Sequence, residues 1–471
     1  MRRPITSLSK NRSTAVPQHR IKQAGNFRAV FLSNRFDEDG APTMRRPGRK
    51  GIMKASGISL QRVAAAWLFA LLGVCLQAAA APAPAVPSFG AAPRGTLVII
   101  GGGLRADNAE VWQRIVKLSG GKGARIAVLA SASINPEKSG ASIVGKLNQY
   151  GADAFFVPLG VKLAGSDYRK AAEDPAVVAQ IRSASGIYFA GGDQGRITQA
   201  LVRTDGSRTA ALDAIWSVYR GGGVIAGSSA GAAIMSTTMF YDAKPVLDML
   251  KMGITEGREI APGLGFIGSD VFVDQHLLVR GRFARMIPVM LKKGYHIGLG
   301  IDENSAMIVD AGRDVEVIGY SGALLIDLSD ALTDRGIKNF NISNAAISYL
   351  DRGDKFNLIT RIFTPSPDKA DNKLDPNQPD MREPVFTNDI LGNNAVLDLM
   401  GNLIDNAQQE AIGIAFGNPR DPYPDLGFEF RFSKTVNSVG YSSTEAEAYS
   451  VLKLRLDIRP IQLRQPLYRY K

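Results

Sequence analysis

The sequence predicts an α/β protein of three layers, in which helices cover both faces of a mainly parallel sheet, with a small β-rich extension at the C-terminus. Short apolar runs alternate with amphipathic stretches between residues 94 and 360. Such runs are expected where both faces of a strand are covered by helices. Beyond residue 380 the apolar residues alternate with polar ones instead, as in Phe428–Phe432, which predicts the β-rich extension.

Six apolar runs are predicted as strands, and helical patterns lie between most of them. These strands are Thr96–Ile100, Arg125–Leu129, Ala154–Pro158, Gly186–Ala190, Gly223–Ala226 and Ile297–Ile301. The later segments 306–310 and 315–319, joined by Ala-Gly-Arg-Asp, predict a hairpin near one edge of the sheet. Because sites in open α/β sheets gather at the carboxyl ends of the strands, the turns after these strands are the first places to look for chemistry.

Composition divides the chain into five predicted parts. They are an N-terminal extension (1–80), a Pro/Ala-rich linker (81–93), a catalytic region (94–360), a second linker (361–380) and a C-terminal extension (381–471). The second linker is rich in Pro, Asp and Asn, so it is expected to be exposed. The extension could bind a polymer, pack on the catalytic region or form a homodimer, and the sequence leaves these possibilities open.

The N-terminal extension has the layout of a secretory signal peptide. Its apolar run at residues 63–76 follows Lys54 and Arg62 and is too short for a stable membrane anchor. We therefore expect a signal peptide at about 53–80, a start at Met53 and a secreted product that is periplasmic only in transit. Cys75, the only cysteine, would leave with this segment. A cysteine nucleophile, disulfides and thiolate metal sites are thereby excluded from the mature chain.

The net charge of +12 does not predict a nucleic-acid partner. Residues 1–80 hold 14 of the 56 Lys and Arg but only 3 of the 44 Asp and Glu, so the remainder has 42 basic and 41 acidic residues. Binding to a phosphate backbone needs Lys and Arg concentrated on the folded surface. The mature chain is nearly neutral, and no nucleic acid, metal or organic cofactor is expected.

A serine nucleophile is predicted in the segment Gly227-Ser-Ser-Ala-Gly231. This segment follows a predicted strand and precedes an apolar helical stretch, which is the context of a nucleophile elbow. Small neighbours leave the Ser229 hydroxyl exposed, and the backbone N–H of Ala230 is expected to donate to an oxyanion. The alternative is an ordinary Gly/Ser turn that caps a helix.

Histidine is the usual base for a serine nucleophile, and the chain has three. His19 lies in the N-terminal extension. His276 lies in a polar block after strand-like sequence, whereas His296 follows a basic helix end, where it would complement the helix dipole. His276 is the predicted base. The acid that orients it is Glu303, after the strand Ile297–Ile301, or Asp274, two residues before the histidine.

Two glycine turns follow predicted strands. Gly191-Gly-Asp-Gln194 exposes backbone N–H groups at the start of a helix, so Gly192 is a candidate second oxyanion donor and Asp193 and Gln194 are expected to line the pocket. Gly101–Gly103 is either a loop of the site or a simple tight turn, and the tight turn is the favoured interpretation.

Four separated motifs, GGDQ, GSSAG, DQHLLVRGRFAR and GIDENSA, resemble those of the cyanophycinase family of serine peptidases. The resemblance covers about residues 94–358. The family is related to alpha-aspartyl dipeptidases and, more distantly, to class I glutamine amidotransferases. The resemblance therefore implies a three-layer α/β/α fold like that of the class I glutamine amidotransferases.

The resemblance also implies hydrolysis of cyanophycin, a poly-aspartate backbone carrying arginine on its β-carboxyls, to β-Asp-Arg dipeptides. Ser229, His276 and Glu303 would form the catalytic triad. The substrate-binding residues that it implies are Asp193, Gln194, Asp274, Gln275, Arg280, Arg282 and Arg285. Arginines pair well with aspartyl carboxylates, and acid or amide side chains accept from guanidinium groups, which agrees with this substrate.

Other functions remain open at this stage. An esterase with the same elbow would need the order Ser, acid, His, supplied by Ser229, Asp274 and His296. An aspartyl dipeptidase would share the triad but take smaller substrates. A catalytically inert protein that binds an Asp/Arg polymer is the alternative from another class.

Overall fold

The computed structural model describes residues 94–446, 448–464 and 466–467. The predicted N-terminal extension, signal peptide and first linker, with Met53 and Cys75, lie outside the described residues. From residue 94 onward the described residues belong to one compact unit. Within this part of the chain, no helix is long and apolar enough to cross a membrane.

The strands fall close to the predicted positions, and three predicted bounds are reproduced without change. In chain order the strands are β1 Thr96–Ile100, β2 Arg125–Leu129, β3 Asp153–Phe156, β4 Gly186–Phe189, β5 Val224–Ser228, β6 Thr238–Phe240, β7 Ile260–Pro262, β8 Val271–Gln275, β9 Ile297–Ile301, β10 Ser305–Val309, β11 Asp314–Gly319, β12 Ala323–Asp327, β13 Ile342–Leu350, β14 Lys355–Asn357, β15 Phe363–Thr364, β16 Phe386–Thr387, β17 Glu410–Ala415, β18 Leu426–Ser433, β19 Val439–Ser442 and β20 Tyr449–Gln462. The helices are α1 Ala109–Leu118, α2 Pro136–Gln149, α3 Tyr168–Ala171, α4 Pro175–Arg182, α5 Gln194–Leu201, α6 Ala210–Arg220, α7 Ala230–Ala233, α8 Val246–Met252, α9 Phe283–Lys293 and α10 Ala395–Ile404.

One sheet, called sheet A, has the strand order β15-β14-β11-β10-β1-β5-β4-β2-β3. Strands β1 to β5 run parallel, and the predicted hairpin β10–β11 extends the sheet antiparallel beyond β1. Helices α1 and α2 pack on one face, where Val98 and Ile100 point, and α4 to α7 pack on the other with Leu97 and Ile99. Successive side chains of a strand point to opposite faces, so apolar residues at every position fit this arrangement. The predicted α/β class is confirmed.

A second sheet, called sheet B, has the order β16-β17-β18-β20-β13-β12-β9-β8, with β19 paired to β20. Strand β9, predicted as part of the parallel sheet, lies here beside β8, to which it is parallel. Strands β16 to β20 come from the predicted C-terminal extension and join the earlier strands where β20 pairs with β13. The extension is rich in strands, as predicted, but it continues a sheet that begins in the catalytic region.

The two sheets share a core. Val271 and Val273 of β8 belong to the same buried cluster as Leu97 and Ile99, whereas Phe272 points the other way, into a core with α8, α9 and α10. The carboxyl ends of β5, β8 and β9 are thereby placed near one another, which positions the residues that follow these strands.

The predicted second linker is not uniformly exposed. Lys369, within it, is fully buried, and its Nζ lies 2.7 Å from an Asp351 carboxylate oxygen and 3.5 Å from one of Asp354. Asp354 also accepts a hydrogen bond from the Ser450 hydroxyl of β20. A buried lysine needs such partners, so this segment is anchored between the earlier strands and the extension.

Candidate active site

Ser229 occupies a sharp turn between β5 and α7. Its backbone has φ 54° and ψ −107°, and its N–H donates to the Ile100 carbonyl of β1 at 3.0 Å. A Cβ at Gly227 would lie 2.2 Å from the Gly231 carbonyl oxygen, and a Cβ at Gly231 would lie 2.5 Å from that of Phe189. The glycines therefore allow a tight turn with a positive φ at the serine, which is the strained geometry of a nucleophile elbow.

His276 follows β8 and faces this serine. Its Nε2 lies 2.8 Å from the Ser229 Oγ, and its backbone N–H donates to the Gly101 carbonyl at 2.9 Å. The residue has a φ of 51°, which is uncommon for a residue other than glycine, although histidine adopts it more often than most. The bond to Gly101 holds it in this conformation at the junction of the two sheets.

Glu303 supplies the carboxylate beside the imidazole. Its Oε1 lies 2.5 Å from the His276 Nδ1. Because β8 and β9 are parallel, with Gln275 opposite Ile301, the residues that follow them emerge side by side. Asp302 fixes this junction, since its Oδ1 accepts from the backbone N–H groups of Leu278 and Val279. The structure therefore brings Ser229, His276 and Glu303 into one hydrogen-bonded chain.

The triple-glycine turn after β1 is part of the site, so its interpretation as a simple tight turn is wrong. Gly102 has φ +107°, and a Cβ there would lie 2.2 Å from the His276 Cε1. The Gly102 carbonyl accepts from Asn304, next to Glu303, at 2.8 Å. The signal in the sequence was a run of glycines directly after the first strand of an α/β sheet, where close backbone approach is common.

Burial lowers the pKa of His276 below its ordinary value of 6.5. The hydrogen bond that His276 donates to Glu303 opposes this effect, whereas the nearby charges of Arg280 and Arg282 lower the pKa further. The imidazole is therefore neutral near pH 7. A neutral imidazole whose Nδ1–H is held by Glu303 presents Nε2 as an acceptor to the serine hydroxyl.

The GGDQ turn lies against the nucleophile. A Cβ at Gly191 would lie 3.3 Å from the Ser229 Cβ, and Gly192 has φ +142°, with a Cβ position only 2.3 Å from the Ala132 carbonyl oxygen. Asp193 caps α5 by accepting from the Gly195 N–H, and the Gln194 Nε2 donates to the Phe240 carbonyl at 2.7 Å. Asp193 and Gln194, both predicted to bind substrate, therefore stabilise the conformation of this turn.

Asp274 and Arg285 form a buried ion pair with each other. The Arg285 Nε and Nη2 donate to the two Asp274 carboxylate oxygens at 2.7 and 2.8 Å. The exposed fractions are 1% for Asp274 and 5% for Arg285, and the guanidinium also stacks on Phe240. The expectation that these two residues contact substrate is corrected, because their charged atoms already satisfy one another inside the protein. Asp274 is likewise unavailable as the acid of the site.

The other residues of this block lie nearer to the site. The Arg280 side chain is 52% exposed, 3.8 Å from the Glu303 Oε1. Arg282 donates to the Gln275 carbonyl, and burial lowers the pKa of its guanidinium to about 10. The Gln275 side-chain oxygen is buried and accepts no hydrogen bond from any described residue.

The alternative order of Ser229, Asp274 and His296 has no geometric support. His296 is exposed, and Asp274 is committed to Arg285. Among the residues that the structure describes, no three His, Cys, Asp or Glu side chains are grouped so that they could hold a metal ion.

The α/β fold and this hydrogen-bonded chain define a hydrolase with a serine at its centre. The model of peptidase family S51 matches residues 97–317, which contain all three residues, and this part of the chain is therefore similar to that family. The cyanophycinase of Nostoc sp. is 28% identical over 280 residues, which cover 57% of this chain and 87% of that protein. The cyanophycinase of Synechococcus elongatus is 27% identical over 278 residues, which cover 57% and 80% of the two chains. A crystal structure of a peptidase from an acI-B1 actinobacterium is 21% identical, covers 56% of this chain and 98% of its own, and has a TM-score of 0.40.

Proposed function

We propose that this protein is a serine-type exopeptidase that hydrolyses cyanophycin to β-Asp-Arg dipeptides. The observation that carries the proposal is the chain of hydrogen bonds from Ser229 through His276 to Glu303, at 2.8 and 2.5 Å, within the segment matched by the family. The relatives named cyanophycinase support this substrate, since the alignment covers 80% or more of each of those two proteins.

The hydroxyl of Ser229 is the nucleophile of the proposed reaction. Its proton passes to the His276 Nε2 while Oγ bonds to the carbonyl carbon of the scissile aspartyl peptide. The C–N bond then breaks, and the imidazolium donates the proton to the leaving amine. Water, deprotonated by the same imidazole, hydrolyses the acyl-enzyme and frees Ser229. Glu303 keeps Nδ1 protonated and stabilises the imidazolium.

Two backbone N–H groups are the proposed donors to the developing oxyanion. Ala230 is the first residue of α7, so its N–H has no partner within that helix. Gly192 belongs to the turn that packs against Ser229, and its lack of a side chain lets the backbone approach. Donors preorganised in this way contribute strongly to acyl transfer because they need no reorientation.

Arg280 and Arg282 are the proposed contacts for the aspartyl carboxylates of the substrate. They are the arginines predicted to bind substrate that remain once Arg285, which pairs with Asp274, is excluded. The Arg280 side chain is exposed and lies beside the triad. Gln275 has a buried oxygen without a partner among the described residues, and Asp193 keeps a side chain that is 48% exposed. Both can accept from the guanidinium of a β-arginyl group.

Incubation with insoluble cyanophycin, with release of soluble dipeptide followed by mass spectrometry, tests this function. The wild type is expected to release β-Asp-Arg, and Ser229→Ala is expected to release none. Ser228→Ala, one position earlier in the same turn, is the matched control and is expected to retain activity. Cleavage of α-Asp dipeptides without release from cyanophycin would instead indicate an aspartyl dipeptidase.

Secretion is part of the proposal and is supported by the sequence before residue 81. If it is correct, the protein recovered from the culture medium begins after the apolar run at residues 63–76. Mass spectrometry of its N-terminus gives the cleavage site. An intact N-terminus in the cell-retained protein alone would contradict export.

A further inference from the structure

A second cavity lies at the opposite end of sheet A from Ser229. It has a volume of about 390 Å³ and is lined by Leu97 near the start of β1, by the last turn of α6, and by the turn between β10 and β11. Arg220 lies just before β5, whereas Ser229 lies just after it. A strand of five residues separates these points by roughly 16 Å, so the cavity is distinct from the candidate active site.

Aromatic side chains form the apolar wall of this cavity. The Trp216 ring lies 4.8 Å from that of Phe266 and 5.9 Å from that of Tyr219, measured between centroids. The Trp216 Nε1 is buried and donates to no acceptor among the described residues. The Trp216 ring therefore gives this cavity a flat apolar surface.

Two guanidinium groups lie close to the same indole. The Cζ atoms of Arg208 and Arg220 lie 4.6 and 5.1 Å from the centre of the Trp216 ring. Burial lowers the pKa of Arg208 and the neighbouring charge of Arg220 lowers it further, as expected for two cations that repel each other, whereas Asp213, 4.0 Å from the Arg208 Nη1, raises it. Asp310 is the one carboxylate residue that lines the cavity within the described part of the chain, and it already accepts from the backbone N–H of Asp314.

We propose that this cavity binds a small organic anion, with its carboxylate or sulfonate group between Arg208 and Arg220 and a flat apolar body against Trp216 and Phe266. The anion offsets the repulsion between the two cations, and the planar guanidinium groups suit a planar carboxylate. The volume lies in the range of small-molecule sites. This inference is independent of the proposed peptidase activity.

Isothermal titration of the full chain with 2-naphthoate and with neutral 2-naphthylmethanol tests the proposal. We expect one naphthoate to bind per chain, and the alcohol to bind about tenfold more weakly, since one charge-assisted contact is worth on the order of 1.4 kcal/mol. Arg220→Gln should weaken naphthoate binding about tenfold and leave the affinity for the alcohol unchanged. Circular dichroism melts check that each variant is folded.

Two arginine controls locate the bound probe. Arg182→Gln replaces the exposed last residue of α4, as Arg220 is the last residue of α6, and should leave binding unchanged. Arg280→Gln removes a cation beside Ser229 and should also leave it unchanged. The proposal is overturned if naphthoate does not bind, if the alcohol binds equally well, if Arg220→Gln binds like the wild type, or if binding is lost in Arg280→Gln.

Discussion

The two sheets contribute different parts of the candidate active site. Sheet A carries Ser229 after β5, whereas sheet B carries His276 after β8 and Glu303 after β9. The hydrogen bond between Ser229 and His276 therefore crosses from one sheet to the other. Because β16 to β20 extend sheet B, the residues beyond 380 belong to the same framework that holds the base and the acid.

Removal of the C-terminal strands tests this dependence and should have the largest effect. A chain that ends at Thr364 lacks β16 to β20, leaves β13 without its partner β20, and leaves Asp351 and Asp354 buried without Lys369. An exposed edge and two uncompensated carboxylates are expected to abolish the folded state. Size-exclusion chromatography and thermal melts measure the loss.

A chain that ends at Arg464 is the matched control, because it keeps every described strand. It should remain soluble with a cooperative transition. If the chain that ends at Thr364 has the same melting temperature as this control, sheet B does not need the extension.

Glu303→Gln tests the contribution of sheet B to chemistry. An amide in place of the carboxylate no longer stabilises the imidazolium, so kcat should fall on the order of 10²–10⁴-fold. Glu316→Gln is the control, since that glutamate lies on β11 of sheet A and pairs with Arg114. Steady-state rates on cyanophycin give the comparison. Equal rates for the two variants would remove Glu303 from the mechanism.

The buried pair of Asp274 and Arg285 should affect stability more than substrate binding. Asp274→Leu or Arg285→Met leaves one buried charge without a partner, which is expected to cost about 3–5 kcal/mol of unfolding free energy. The double variant should cost less than either single variant, because no lone charge remains. Urea unfolding measures all three. Single variants as stable as the wild type with a raised KM would instead support direct contact with substrate.

Arg280→Gln should raise KM by removing the proposed contact with substrate carboxylates, and it should also shift the pH profile of kcat/KM, which is the smallest of the expected effects. The lowered pKa of His276 places the acid limb of kcat/KM below pH 6.5 in the wild type, because activity is lost as the imidazole gains its proton. Removing the Arg280 charge raises that pKa, so the limb moves to higher pH. Since the Arg280 side chain is 52% exposed, solvent reduces the size of this shift.

Arg105→Gln is the control for this profile, because its guanidinium is similarly exposed but pairs with Asp107. Its acid limb should coincide with that of the wild type. If the acid limb of kcat/KM in Arg280→Gln stays at the wild-type pH or moves to lower pH, the electrostatic explanation is contradicted.

The sequence predicted sheet A well because its signals are local. The apolar runs of β1 and β2 are buried on both faces, and a glycine-flanked serine after β5 identifies its turn. The candidates for the nucleophile and the base could be narrowed by counting, since the chain has few histidines and only one cysteine. These arguments need no knowledge of which strands are neighbours.

Sheet B was harder to predict because its pairings are distant in sequence. Ile342 pairs with Ile458, and no local pattern encodes that partner. Lys369 lies in a Pro- and Asp-rich segment that predicts exposure, but its ammonium group is buried in ion pairs with Asp351 and Asp354. Asp274 and Arg285 were likewise predicted to contact substrate. Their mutual ion pair depends on how α9 packs on β8, and no local pattern in the sequence encodes that packing.

Active-site labelling with a fluorophosphonate, followed by peptide mapping, tests whether Ser229 of sheet A is activated by His276 of sheet B. We expect a single adduct on Ser229 in the wild type, a large loss of labelling in folded His276→Ala, and unchanged labelling in His296→Ala. Labelling at another residue, or a His276→Ala variant that reacts as fast as the wild type, would contradict it.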